Sequence, residues 1–369
     1  MKDERLNRLA GMIVNYSTEV KPKEKVLLRG SAIAQPFLLA LYQEVLKAGG
    51  YPLLMPSVPG AAELFYKLGN DDQLSYLPEP LKLVMETYDV MINIIADDNT
   101  KALSNVDPTR MVLASRANEP ITRIFMDRSA SGALKWSVAL FPTQAHAQDA
   151  EMSLTEYEDF VFNACMPDPV DPVGYWRRIH KQQQKICDWL LDKENVHLKG
   201  TDIDLTLSIK GRKFVNCACE KNVPDGEIFT GPVENSVNGT VCFSYPAIYA
   251  GREVEGVRLW FENGRVIKAT ATKNEDFLLK TLDTDEGSRF VGEFAIGTNE
   301  GITQFTREIL FDEKIGGSFH LALGSGYPET GSVNRSAIHW DMICDLRSGG
   351  EIWVDETLLY KNGKFVLDL

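Results

Sequence analysis

Residues 25–57 read KVLLRGSAIAQPFLLALYQEVLKAGGYPLLMPS. The run at 25–30 is short, apolar and strand-sized. Residues 35–50 space their apolar side chains as an amphipathic helix and close on glycine. A second strand-sized run follows at 51–57. Strand, helix, strand in this rhythm argues for a parallel sheet covered by helices. The pattern extends both ways. Residues 3–19 have helical periodicity, AAELFYKLG (61–69) is helical, and DVMINIIA (89–96) and KWSVALFP (135–142) are further strands. No G-x-G-x-x-G follows any of them, so this Rossmann-like half carries no dinucleotide motif.

Helices are expected at 153–165 and 175–194, with the Pro-rich MPDPVDPVG (166–174) between them as a candidate hinge. From about residue 196 the period changes to two. TDIDLTLSI, VCFSYPAI, VEGVRLWF and RVIKATAT all alternate, and the NG pairs at 263–264 and 362–363 mark hairpin turns. Helices interrupt at 275–284 and 301–310. The expected organisation is an α/β domain at 1–194 and an α+β, mostly antiparallel β domain at 195–369.

The formal net charge of −13 over 369 residues argues against nucleic acid or an anionic membrane as partner. The N-terminal MKDERLNRLAGMIVNYS lacks the apolar core of a secretory signal, and no run is long enough to cross a bilayer. The expectation is a cytoplasmic protein whose six cysteines are reduced thiols. Cys217 and Cys219 form a lone C-x-C without a second pair, and alternation in KFVNCACE places both on one face of a strand as small apolar residues.

The stretch from Asp312 to Asp345 is dense in groups that are costly to bury. If AIHWDMICDL is a strand, His339 and Asp341 leave one face and Trp340 and Met342 the other. His320 ends EKIGGSFH, where Gly316 and Gly317 permit a tight turn. Glu313 lies seven residues before it, and Tyr327 seven after it in a GSGYPE turn. Glu227 in PDGEIFTGP and Glu293 in FVGEFAIG are charged residues set between glycine and apolar neighbours. Singly, each has an ordinary reading: a hydrogen-bonded histidine, a turn tyrosine, a solvated helix end. Together, several carboxylates and two imidazoles fit a site for hard-to-borderline divalent cations. There is no H-E-x-x-H, no G-x-S-x-G elbow and no phosphate loop.

The segments FPTQAHAQDAEMSLTEYEDF (141–160), NVPDGEIFTGPVENSVNG (222–239), VGEFAIGTN (291–299), LFDEKIGGSFHLALGSGYPETG (310–331) and NRSAIHWDMICDLR (334–347) make the chain resemble the aminopeptidase T / aminopeptidase S (PepS) family of bacterial metallo-aminopeptidases. The resemblance implies a C-terminal metal-binding domain holding two divalent ions per subunit (zinc, cobalt, manganese or magnesium). By motif, the ligands correspond to Glu227, Glu293, His320, His339 and Asp341. Glu313 is implied as a further ligand or the proton-shuttling base, Glu293 or Asp341 as the carboxylate that bridges the metals, Glu293 also as the alternative proton carrier, and Tyr327 as the hydroxyl that stabilises the oxyanion or protonates the leaving amine. The resemblance also implies a homodimer whose sites face an enclosed cavity and act on short peptides. The segment from Tyr327 to His339 looks shorter than in longer relatives. Two rival readings keep the residues and change the role: a dinuclear amidohydrolase or phosphoesterase, and a non-catalytic binding protein on the same fold.

Overall fold

The computed structural model describes residues 3–367. The chain divides into two compact units, one running to Val173 and including Cys219–Pro224, the other formed by Gly174–Ala218 and Asp225 onward. The division falls ahead of residue 195 because the helix Pro172–Leu190 places Ile186, Cys187 and Leu190 in the core of the second unit. This helix begins inside the Pro-rich break at 166–174. A proline is tolerated in a first turn, whose N–H groups lack helical acceptors anyway.

In the first unit five strands run parallel, in the order Tyr51–Ser57, Lys25–Ser31, Val90–Ile95, Lys135–Leu140, Asn222–Val223. Val26, Leu27 and Leu28 are all buried, as expected of a central strand covered on both faces, and so the run does not alternate. The helix Gln35–Lys47 buries Phe37, Leu38, Ala40, Leu41 and Val45, and the chain leaves it through Gly49 at φ +80°. Truncating Leu41 to alanine in that stripe would cost about 2–5 kcal/mol. The helix Leu154–Cys165 opens with a reciprocal cap. Glu156 N donates to Ser153 Oγ, and Ser153 N donates to Glu156 Oε2.

The second unit is mostly antiparallel β. An eight-stranded sheet runs Arg265–Thr270, Arg258–Glu262, Asn238–Cys242, Ile203–Ser208, Asn195–Gly200, Glu351–Val354, Thr357–Lys361, Lys364–Phe365. A five-stranded sheet runs His339–Asp345, Ser318–Gly324, Val291–Gly297, Glu227–Thr230, Val215–Cys217. Leu198, Leu205, Val241, Leu259 and Ile352 of the first sheet share one core with Phe294, Phe319, Leu321, Trp340 and Met342 of the second. Among the described residues no helix is long and apolar enough to cross a membrane.

Three local expectations are corrected. Instead of a helix at 301–310, only Ile309–Asp312 is helical. Arg307 sits at φ +65°, Asn299 Oδ1 accepts from Gly301 N, and Asp312 Oδ1 accepts from both N and Oγ1 of Thr306. Side chains thus take the donors a helix would use. VCFSYPAI splits between Asn238–Cys242 and Ala247–Tyr249, with Pro246, which has no N–H for a ladder, in the gap. KFVNCACE is a strand only at Val215–Cys217. Cys219 has φ +69° and belongs to the first unit, so the two thiols do not share a strand face.

Candidate metal centre

Period-two alternation sorts the five-stranded sheet into two faces. Trp340 and Met342, Phe319, Leu321 and Leu323, Phe294 and Ile296, and Ile228 enter the shared core. The other face therefore carries His339 and Asp341, His320 and Ala322, Glu293 and Ala295, and Glu227. The register sets a small residue opposite each long one. Ala322 pairs with both Glu293 and Asp341, Ala295 with His320, Gly324 with His339, and Gly297 with Glu227. Space is thus left above the sheet where four strands' functional groups converge.

His320 Nε2 lies 3.3 Å from Glu293 Oε1, 3.7 Å from Glu227 Oε2 and 3.9 Å from Asp341 Oδ1. His339 Nε2 lies 3.4 Å from Glu293 Oε2 and 3.6 Å from Asp341 Oδ1. The two oxygens of Glu293 therefore face different imidazoles. Each ring is aimed by its other nitrogen: Nδ1 of His320 donates to the Glu313 carbonyl at 2.9 Å, and Nδ1 of His339 to the Ser325 carbonyl at 2.8 Å. His320 is 1% exposed, but the His339 side chain is 29% and Tyr327 39% exposed, so the cluster opens to solvent on that side. Tyr327 leaves the sheet in a turn, its ring centroid 5.3 Å from Phe229 and 5.3 Å from His339.

Burial and charge oppose each other at both imidazoles and at Glu293. Burial would lower the two imidazoles, but Glu293, Glu227 and Asp341 around His320, and Asp341 and Glu293 around His339, lift each to about 10. Burial would raise Glu293, but hydrogen bonds from both rings hold it down at about 2. At Asp341 burial wins and pushes the carboxyl up to about 6. Glu227 is raised well above its ordinary range, chiefly by burial. The Tyr327 phenol is raised by burial and by the neighbouring carboxylates, so it keeps its proton at any physiological pH.

All six expected ligands and Tyr327 thus come to one side of one sheet. Donor atoms of Glu227, Glu293 and His320 fall within 4.8 Å of one another, as do those of Glu293, His339 and Asp341, and those of Glu313, His320 and Asp341. Glu227 Oε2 and Asp341 Oδ1 are buried without a hydrogen-bond partner. Acceptors left unsatisfied in this way suit a cation. The donor chemistry, carboxylate with imidazole, suits a divalent one. Glu313 caps the helix Ile309–Asp312, and its side chain is ion-paired with Lys314.

Two residues escaped the sequence reading. Lys314 is fully buried, its Nζ 3.8 Å from Glu227 Oε1. Gln183 is also buried: its Nε2 donates to the carbonyls of Cys217 and Glu227, and its Oε1 accepts from Thr298. Gln183 stands on the apolar stripe with Trp176, Ile186 and Leu190, and a lone amide there was the available signal. Cys217 joins Asp225 and Glu227 in a further close group. Burial lifts its thiol far above the ordinary value.

The sequence model of one family, described as thermophilic metalloprotease (M29), matches residues 2–365. Aminopeptidase 2 of Geobacillus stearothermophilus is 25% identical over 394 residues, covering 92% of this chain and 92% of that protein. Aminopeptidase T of Thermus thermophilus is 25% identical over 354 residues, covering 88% and 85%. Among solved structures, wild-type AmpT from Thermus thermophilus superposes with a TM-score of 0.87 at 21% identity, covering 99% of each chain. A 2,5-dihydroxypridine dioxygenase from Pseudomonas putida superposes with a TM-score of 0.59 at 13% identity over 98% of this chain and 96% of that one. That second likeness is one of fold and leaves the reaction to the residues of the site. Family match, aminopeptidase relatives and carboxylate–imidazole cluster agree: the chain belongs to the thermophilic metalloprotease (M29) family and is a peptidase.

Proposed function

We propose that this chain removes N-terminal residues from short peptides, using two divalent cations held by Glu227, Glu293, His320, His339 and Asp341. The observation that carries the reading is Glu293, whose Oε1 and Oε2 face His320 and His339 separately, so that it could be shared between two ions. Charge is in keeping with bound cations. Glu227 and Glu313 lie against one ammonium, Lys314, while Glu293 and Asp341 have no such partner, so buried negative charge remains for a divalent cation to offset.

Cations so bound supply a water of lowered pKa and polarise the scissile carbonyl. The protein's own groups supply the rest. Glu293 would be committed to the cations, which leaves the Glu313 carboxylate to take the proton of the attacking water and pass it to the leaving nitrogen. A C–O bond forms, the C–N bond breaks, and that proton ends on the amine. Tyr327, protonated and on the solvent-open side, donates its hydroxyl to the developing oxyanion. The resemblance further implies a homodimer, which light scattering in solution tests directly.

The decisive experiment counts ions and substrates together. Chelator-stripped protein is titrated with Mn²⁺, Co²⁺ or Zn²⁺ and assayed on leucine p-nitroanilide, its N-acetylated form and a phosphate monoester. Two ions per chain, with activity returning only on the free amine, is the expected result. Cleavage of the acetylated substrate or the phosphate monoester in its place removes the aminopeptidase reading.

A further inference from the structure

A lysine with no exposed surface beside a cation site calls for a reason, because a buried ammonium is tolerated only when paired. The backbone shows how it gets there. Gly297 lies opposite Glu227, and a Cβ at Gly297 would stand 2.3 Å from the Ile315 carbonyl oxygen and 3.0 Å from the Lys314 carbonyl carbon. The missing side chain lets residues 314–315 lie against the site strand. Lys314 O then accepts from Asn299 N at 3.1 Å, and Lys314 N donates to Phe311 O at 3.0 Å. From this fixed backbone the ammonium reaches Glu313 Oε1 and approaches Glu227 Oε1 at 3.8 Å. What remains free is Glu227 Oε2, buried, without a hydrogen bond and 3.7 Å from His320 Nε2.

We infer that Lys314 is a positioning residue that divides the carboxylates by role. It occupies one oxygen of Glu227, so that Glu227 offers only Oε2 to a cation. It also holds the Glu313 carboxylate by ion pairing, so that Glu313 moves protons and does not ligate. The inference rests on the two-cation reading above and deepens it. Without Lys314, Glu313 is a fourth carboxylate within reach of the same ions, and a base bound to the ions is no longer a base.

The test is a charge-conserving double substitution read by Mn²⁺ calorimetry on stripped protein. Lys314→Met removes a cation and frees Glu313, so Mn²⁺ binds about tenfold tighter while kcat on leucine p-nitroanilide falls about tenfold or more. Glu313→Gln strands the ammonium and weakens binding. In Lys314→Met/Glu313→Gln one charge of each sign is gone, and Kd returns to within about threefold of wild type with kcat still low. A merely structural lysine would move stability and leave this opposite-signed pair absent. If the double variant binds Mn²⁺ tenfold or more weakly, Glu313 is a ligand and the inference fails. Should the methionine variants not fold, anomalous scattering from Mn²⁺-loaded wild type decides: Glu313 oxygens within about 2.0–2.6 Å of an ion overturn it, and oxygens beyond that range support it. Failure of the two-cation reading is seen separately, as a wild-type stoichiometry below two.

Discussion

Loading the chelator-stripped protein with a divalent cation should expel protons, and the imidazole geometry sets how many. Nδ1 of His320 and of His339 each face a backbone carbonyl, which only accepts, so each Nδ1 carries a hydrogen. Nε2 of His320 faces Glu293 Oε1 at 3.3 Å, and Nε2 of His339 faces Glu293 Oε2 at 3.4 Å. A proton on each Nε2 makes both rings imidazolium, the form the carboxylates hold up to about 10. At about pH 7.5 such a ring is protonated roughly 300 to 1. Ligation through Nε2 uses the lone pair that binds the proton, so saturation releases about two protons from the rings. Asp341, up at about 6, is already mostly ionised there. Glu227, raised by burial, can only add to the count.

Calorimetry of Mn²⁺ binding in buffers of differing ionisation enthalpy reads this number as a slope. In His339→Asn the count falls by about one. Release of less than about one proton by wild type, or an unchanged count in the variant, would refute ligation through the two Nε2 atoms. The linkage has a defined sign. Folded values raised above the ordinary 6.5 mean that the imidazoles stabilise the stripped protein fully below that pH. That stability is lost as pH rises toward about 10, while cation affinity climbs over the same window.

Three further outcomes are expected. Tyr327→Phe leaves Mn²⁺ affinity and KM unchanged and lowers kcat about a hundredfold; full turnover would remove the oxyanion role. Ala322→Val touches no ligand but adds two carbons opposite both Glu293 and Asp341, and the overpacking of about 1–3 kcal/mol weakens Mn²⁺ binding about tenfold, whereas Leu323→Ile on the core face leaves the Kd alone. Glu253, hydrogen-bonded by Lys273 at 2.8 Å and Arg307 at 2.9 Å, is held down to about 2 from an ordinary 4.5. Its contribution is complete above 4.5 and lost as pH falls toward 2, so the Tm gap between wild type and Glu253→Gln closes over that acid range.

Much of this was legible before any coordinates because it is periodic. The parallel sheet follows from apolar runs at 25–30, 51–57 and 89–96. The face shared by His339 and Asp341 follows from a spacing of two, with Trp340 and Met342 buried opposite, as found. What was illegible depends on contacts between residues far apart in the chain. Ala322 and Ala295 are unremarkable alanines until the register sets them beside Glu293 and His320. The 301–310 segment looks helical until Asp312 is seen to accept from Thr306. Cys219 alternates with Cys217 on paper, yet the strand stops between them.

Lys314 shows the same limit at the site itself. In DEKIGG it looks like one more charge at a solvated helix end, and its neighbour Glu313 drew notice only through its motif. Its burial depends on Gly297, seventeen positions earlier, lacking a side chain where the 314–315 backbone crosses. A fold that superposes on a dioxygenase as well as on an aminopeptidase T does not choose a reaction. On the reading proposed above, the choice lies in which oxygens face a cation and which are held back, and it turns on Gly297, Ala295, Ala322 and Lys314, none of which would be picked as a ligand. On that reading, residues that make room or withhold a donor carry as much of the catalytic identity as those that bind.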